Sequence, residues 1–118
     1  MSAFRSLLFV PGSRPERFAK AAESKADIIC IDLEDAVPQA DKDGARTAAL
    51  AHLAAVANPQ RWALRINGVA TPAGLTDLLA LRAAPSRPAV LLIPMVESPD
   101  EVRIVREILA DPAIAIVP

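Results

Sequence analysis

Three carboxylates, Asp32, Glu34 and Asp35, fall within four positions directly after the apolar run Ile28-Ile29-Cys30-Ile31. A short isoleucine-rich run bounded by polar residues reads as a buried strand. Such strands rarely close on unpaired charge, because taking a carboxylate out of water is costly. Either the strand surfaces at Asp32, or a positive group faces it. Side chains alternate along a strand, so Cys30, Asp32 and Glu34 share one face and Ile29, Ile31 and Leu33 the other. In the later run Trp62 to Asn67, the same alternation groups Arg65 with Ala63 and Asn67, opposite Trp62, Leu64 and Ile66. With the apolar faces turned to covering helices, Asp32, Glu34 and Arg65 point into one interior. Two chemistries fit. One is a plain ion-pair network. In the other, Arg65 both offsets the carboxylates and grips an anionic substrate through its planar fork, and bare carboxylates beside it favour a hard divalent cation.

A second candidate is Val10-Pro11-Gly12-Ser13-Arg14-Pro15, a flexible turn before a helix start, where backbone donors suit an anion. Arg14 and Lys20 add charge able to meet phosphate. The remaining reactive residue types read as structural. Cys30 is a buried thiol rather than a nucleophile, His52 is a packing or surface histidine on a helix, and Met95 is packing at a strand end. The chain has no Walker loop, no GxGxxG turn, no zinc-ligand cluster and no Ser-His-Asp or Cys-His pairing.

The elements that must position these residues alternate strictly. Strands are expected at Ser6 to Val10, Asp27 to Leu33, Trp62 to Asn67, Ala89 to Ile93 and Ala113 to Val117. The first helix is capped by Ser13, opens at Arg14-Pro15-Glu16 and runs to about Ser24, burying Phe18, Ala21 and Ala22. The second ends near Ala57, with Leu50, Leu53 and Ala57 on one face. The third starts at Thr71-Pro72 and turns Leu75, Leu78, Leu79 and Ala83 inward. The fourth opens on the capping box Ser98-Pro99-Asp100-Glu101, with Val102, Val105, Ile108 and Leu109 behind it. Such alternation implies parallel strands and an α/β fold. A doubly wound, flavodoxin-like sheet competes with the first half, from the first strand to the fifth, of a TIM (β/α)8 barrel of about 250 residues. Polar residues follow every one of the first four strands: Arg14, Glu34, Arg65 with Asn67, and Glu97. That distribution suits a barrel mouth better than a single crevice, and a fifth strand without a covering helix suits a truncated barrel.

Bulk composition narrows the function classes. Of 118 residues, 53% are hydrophobic and 23% charged, which is a globular balance for a single domain spanning 1–118. A formal net charge of −1 and 3% aromatics give no basis for nucleic-acid binding. No apolar run approaches the ~20 residues of a membrane span. One cysteine precludes an intrachain disulfide, and the opening Met-Ser-Ala-Phe-Arg lacks a signal-peptide layout, so a cytoplasmic home is expected.

Four segments, Arg5-Ser-Leu-Leu-Phe-Val-Pro-Gly-Ser-Arg-Pro15, Asp32-Leu-Glu-Asp-Ala-Val37, Arg65-Ile-Asn-Gly68 and Pro94-Met-Val-Glu-Ser98, together resemble the citrate lyase β-subunit-like group of the HpcH/HpaI aldolase/citrate lyase family. The resemblance implies a Mg2+-dependent TIM barrel that makes or breaks a C–C bond in a 3-hydroxyacyl thioester such as citryl-, malyl- or citramalyl-CoA, or its carrier-protein equivalent. The products are an acyl thioester and a 2-oxo acid such as oxaloacetate or glyoxylate. It implies that Arg65 binds the oxo-acid carboxylate, that Phe9, Arg14 and Lys20 contact the CoA thioester, and that Glu34, with Asp35 beside it, is an inward acid near metal and substrate. It also implies a homo-oligomer, a trimer or hexamer, and places both Mg2+-ligating carboxylates beyond Pro118, so that the 118-residue chain alone would be inactive. Similar sequences carry lysine where Met95 stands. The absence of histidine near Asp32 argues against the CoA-free aldolases of the same superfamily. The alternative of a different class is a catalytically incomplete half-barrel serving as a self-associating or binding module.

Overall fold

Five strands pair in parallel in the order of the chain: β1 (Leu7–Pro11), β2 (Ile28–Asp32), β3 (Trp62–Arg65), β4 (Val90–Leu92) and β5 (Ala115–Val117). They are seen in a computed structural model that describes residues 4–118; the first three residues of the expected leaderless opening lie outside the described residues. Between the strands run α1 (Phe18–Ala22), α2 (Lys42–Ala55), α3 (Pro72–Ala83) and α4 (Pro99–Leu109), with 3-10 turns at Pro15–Arg17, Gln39–Asp41 and Pro59–Arg61.

Strand order and helix placement together decide the architecture. A doubly wound sheet reverses its order at a switch point and carries helices on both faces. Here the order never reverses, and all four helices bury their stripes on one face. Phe18 and Ala21 of α1, Ala45, Ala49 and Leu53 of α2, Leu78 and Leu81 of α3, and Val105 and Leu109 of α4 join Ile29, Ile31, Leu64 and Leu91 of the strands in one cluster. The other face carries a separate, helix-free cluster of Ile28, Cys30, Ala63 and Val90. This is an arc of a β/α barrel, and its helix-free face is the barrel interior.

Local details depart from expectation where tertiary contacts override propensity. In α3 the buried positions are Gly74, Asp77, Leu78 and Leu81, while Leu75 and Leu79 are 48% and 60% exposed and Ala83 is exposed. The inward stripe is therefore rotated from the leucine-rich one, because the Asp77 carboxylate is fully satisfied inside. Gly74 belongs to that stripe because a β-carbon there would run into the backbone of Asn67 and Gly68. Ala57 lies beyond the end of α2 and is exposed. Ser13 caps no helix: Arg14 precedes the Pro15–Arg17 turn, its amide held by the Pro11 carbonyl at 3.0 Å. Thr71 does cap α3, its hydroxyl accepting from the Gly74 amide at 3.0 Å. In α4 the Glu101 carboxylate accepts from the Ser98 amide at 3.2 Å.

Met95 is not packed. It is 80% exposed at the carboxyl end of β4, with a left-handed backbone (φ 53°) that a side chain with a β-carbon adopts only at a cost. Cys30 is buried, and burial first, then the charge of Asp32, pushes its thiol up to about 12, so it is no nucleophile at neutral pH.

Candidate active site

Register places the charged residues before any side chain turns. Asp32 ends β2 directly opposite Arg65, which ends β3, and Phe9 of β1 lies opposite Cys30 one layer below. Odd-even alternation then sends Phe9, Asp32 and Arg65 to the helix-free face. Arg65 donates from Nε to Asp32 Oδ1 at 2.9 Å and from Nη2 to Oδ2 at 2.7 Å, a bidentate fork. Its guanidinium carbon sits 4.7 Å from the centroid of the Phe9 ring, within reach of a cation–π contact. Glu34 stands next to it, with Oε1 3.8 Å from Arg65 Nε. The positive partner demanded by the carboxylates is therefore Arg65.

The electrostatics lock this arrangement. Burial pushes the Asp32 carboxyl up, but the Arg65 hydrogen bonds and the amides of Glu34 (2.9 Å) and Ala36 (3.0 Å) outweigh it and hold the group below its ordinary value. The Asp32 hydrogen bonds raise Arg65 against its partial burial. A guanidinium has five N–H donors, and Asp32 takes one Nε–H and one Nη2–H. Nη1 has no partner among the described residues, and the Arg65 side chain keeps 26% of its exposure against 2% for Asp32. The outer edge of the fork is thus available to an anion at the carboxyl end of the sheet, with the inner edge already fixed.

The turn after β2 is held from two sides. Asp32 takes its amides, while Lys42, the first residue of α2, donates from Nζ to the carbonyls of Leu33 (3.1 Å), Glu34 (2.9 Å) and Val37 (3.2 Å). Asp35 is exposed on this turn and makes none of the ion pairs or side-chain hydrogen bonds found among the described residues. The turn after β3 is held likewise. Asp77 Oδ2 accepts from the Asn67 amide at 2.9 Å and from Asn67 Nδ2 at 2.7 Å, and Arg46 Nε reaches Asp77 Oδ1 at 2.7 Å. Asn67 consequently turns to the helices rather than sharing the interior with Arg65.

Arg14 and Lys20 are both exposed, but they line different grooves. Arg14 borders a cleft of about 640 Å3 between the β1–α1 turn and α2. Lys20 and Phe9 border a shallower one of about 520 Å3 between β1 and α1. Arg17, which the sequence reading passed over, lines both. Its signal was the spacing: Arg14, Arg17 and Lys20 recur every three residues across the start of the first helix. Glu97 is exposed, its amide donating to Glu101 Oε2 at 2.7 Å.

Asp32 has both oxygens committed, and among the described residues no group of three or more His, Cys, Asp or Glu side chains is placed to hold a metal ion. The residues present do not fit a complete divalent-cation site.

The family model for HpcH/HpaI aldolase/citrate lyase matches residues 5–116. The chain belongs to this family. It is 38% identical over 109 residues to a (3S)-malyl-CoA thioesterase of Cereibacter sphaeroides, a match covering 92% of this chain and 38% of that protein. It is 41% identical over 98 residues to an L-malyl-CoA/beta-methylmalyl-CoA lyase of the same species, covering 78% of this chain and 30% of the other. Among solved structures, the citrate lyase beta subunit of Mycobacterium tuberculosis complexed with oxaloacetate and magnesium superposes with a TM-score of 0.75 at 34% identity, over 98% of this chain and 47% of that one. The chain thus spans between 30% and 38% of the length of these curated relatives. The likeness agrees with the barrel arc read from strand order, and against the flavodoxin-like alternative. No helix among the described residues is long and apolar enough to cross a membrane.

Proposed function

We propose that this chain forms the anion-binding part of the site of a thioester-dependent carbon–carbon lyase. The observation that carries the reading is the divided guanidinium of Arg65: its inner edge is bound by Asp32, its outer edge open at the mouth of the barrel arc. Such an edge matches the two oxygens of a carboxylate. The malyl-CoA lyase and oxaloacetate-bound relatives support the substrate class: a 3-hydroxyacyl thioester carrying a carboxylate on its hydroxyl carbon. In cleavage the 3-hydroxyl loses its proton and the adjacent C–C bond breaks. The hydroxyl carbon becomes the carbonyl of a 2-oxo acid, and the electron pair passes to the acyl thioester as an enolate that takes up a proton.

In this reading Arg65 fixes the carboxylate throughout, and Glu34, 3.8 Å from Arg65 Nε, is the acid beside it that is not held in the Asp32 fork. Phe9 supports the guanidinium from beneath, while Arg14 and Lys20, flanking Arg17, meet the phosphates of a CoA or carrier thioester. Asp35 belongs to the same acidic turn, and the complete protein is a homo-oligomer. The magnesium reported with the relative supports Mg2+ as the cofactor of the complete protein, where it would polarise the forming carbonyl. Asp32 is not among its ligands, since Arg65 and two amides occupy that carboxylate.

The test is product analysis with the complete protein, malyl-CoA and Mg2+. Release of glyoxylate and acetyl-CoA, abolished in Arg65→Ala, is the expected result. Release of malate and free CoA would instead make it a thioesterase like the 38% identical relative. Unchanged cleavage in Arg65→Ala would remove Arg65 from the site.

A further inference from the structure

Lys42 occupies a position that helix electrostatics does not explain. It opens α2, where the positive end of the helix dipole disfavours a cation. Among the described residues it takes part in no ion pair. Instead an ammonium's three donors meet three backbone carbonyls that converge on it, those of Leu33, Glu34 and Val37. The same segment, 33–37, has its amides of Glu34 and Ala36 on Asp32, and its Leu33 amide on the Arg65 carbonyl at 2.9 Å. Acceptors are thus gathered by Lys42 and donors by the Asp32–Arg65 pair. Releasing either side frees the turn that carries Glu34 and that pins both oxygens of Asp32.

We infer that Lys42 is a positioning residue: its ammonium holds the β2–α2 turn so that Asp32 keeps the Arg65 guanidinium in its forked orientation, with Glu34 alongside. The inference rests on the reading of Arg65 as the carboxylate-binding group, but its geometric part is independent of it. Lys42 touches no reacting atom in this scheme and acts through backbone carbonyls alone. Arginine cannot substitute for it, because a planar fork cannot aim three donors at carbonyls that surround a single point.

Arg61 provides the control. It too donates to three carbonyls, those of Ala22, Ser24 and Ala26, but at the amino end of the sheet, away from Arg65. In the complete protein, Lys42→Met, Lys42→Arg and Arg61→Met are compared by thermal melting, by oxaloacetate binding, and by the NMR signal of the Arg65 Nε–H. The expected result is a lowered melting temperature in both methionine variants. Only the two Lys42 variants should weaken oxaloacetate binding, by roughly tenfold or more, and speed exchange of the Arg65 Nε–H. Normal binding in folded Lys42→Met, or equal weakening in Arg61→Met, would overturn the inference. If the unaltered protein binds no oxaloacetate, the reading of the site fails instead. The Arg65 Nε–H then still decides Lys42: faster exchange in Lys42→Met alone supports the inference, and an unchanged signal overturns it.

Discussion

Among the described residues two aspartate–arginine pairs have an enclosed carboxylate, and only one of them faces the barrel interior. Asp32–Arg65 is built from the ends of adjacent strands, Asp77–Arg46 from facing helices α2 and α3. In both, the carboxylate is almost wholly enclosed, with 2% and 0% of its side-chain surface exposed. Both carboxylates also bind backbone amides of a loop that follows a strand, Glu34 and Ala36 in one case and Asn67 in the other. The arginines differ. Arg46 is 11% exposed and divides its donors between Asp77 and, at 2.8 Å, Asp43. Arg65 spends two donors on a single carboxylate, leaves Nη1 without a partner among the described residues, and sets its guanidinium over the Phe9 ring. Charge pairing alone therefore does not mark a site. What separates the two is the geometry of the unspent donors, sealed among helices in one pair and open at the strand ends in the other.

The sharpest way to break the comparison is to remove each aspartate. Asp77→Ala leaves Arg46 with only its exposed partner and strips Asn67 of two bonds, so urea denaturation should show a loss of about 3–5 kcal/mol. A loss under 1 kcal/mol would mean that the α2–α3 pair does not anchor the fold. The next effect falls on function. Arg65→Lys keeps the charge but not the fork, and oxaloacetate binding to the complete protein should weaken by roughly 100-fold. Arg46→Lys should leave that affinity within about twofold wherever the protein stays folded, and a matching loss there would erase the distinction between the pairs.

Acid titration separates the groups by sign. The folded-state pKa of Asp32 lies below its ordinary value of 3.8, so its stabilisation is present above that value and is lost as pH falls through the folded one. Asp32→Asn should flatten that limb of the stability curve. At higher pH the half-buried His52 gives a smaller limb. Burial alone lowers it from 6.5, its Nε2 has no partner, and the Phe18 and Trp62 rings pack against it. The unfolded chain therefore binds a proton first, and stability declines as pH drops below 6.5 towards the lowered value. His52→Phe should remove this decline, and its persistence would place the titration elsewhere. The smallest effect is at Met95, where glycine would relieve the left-handed backbone: Met95→Gly should gain about 0.5–1 kcal/mol in the melt.

Much of this was legible along the chain because it depends on local period. Alternation within Ile28 to Asp32 and Trp62 to Arg65 is enough to put Asp32 and Arg65 on one face, since a strand repeats every two residues whatever surrounds it; Glu34 lies on the turn beyond β2, and its place beside Arg65 is set by that turn. The same holds for the strand–helix succession, for the Thr71 and Ser98 helix starts, and for Cys30 inside an apolar run. The tertiary structure alone decided what long-range registration brings together. Asp77 meets Arg46 across 31 positions, so the α3 stripe could not be phased from its leucines. Lys42 looked like an ordinary helix-start lysine until the turn folded back to offer three carbonyls. Met95, expected to pack, is exposed on the loop beyond β4, where its backbone is left-handed. Hydrophobic periodicity reports which face is apolar. A polar group buried at no penalty is visible only once its partners, from other elements, are in place.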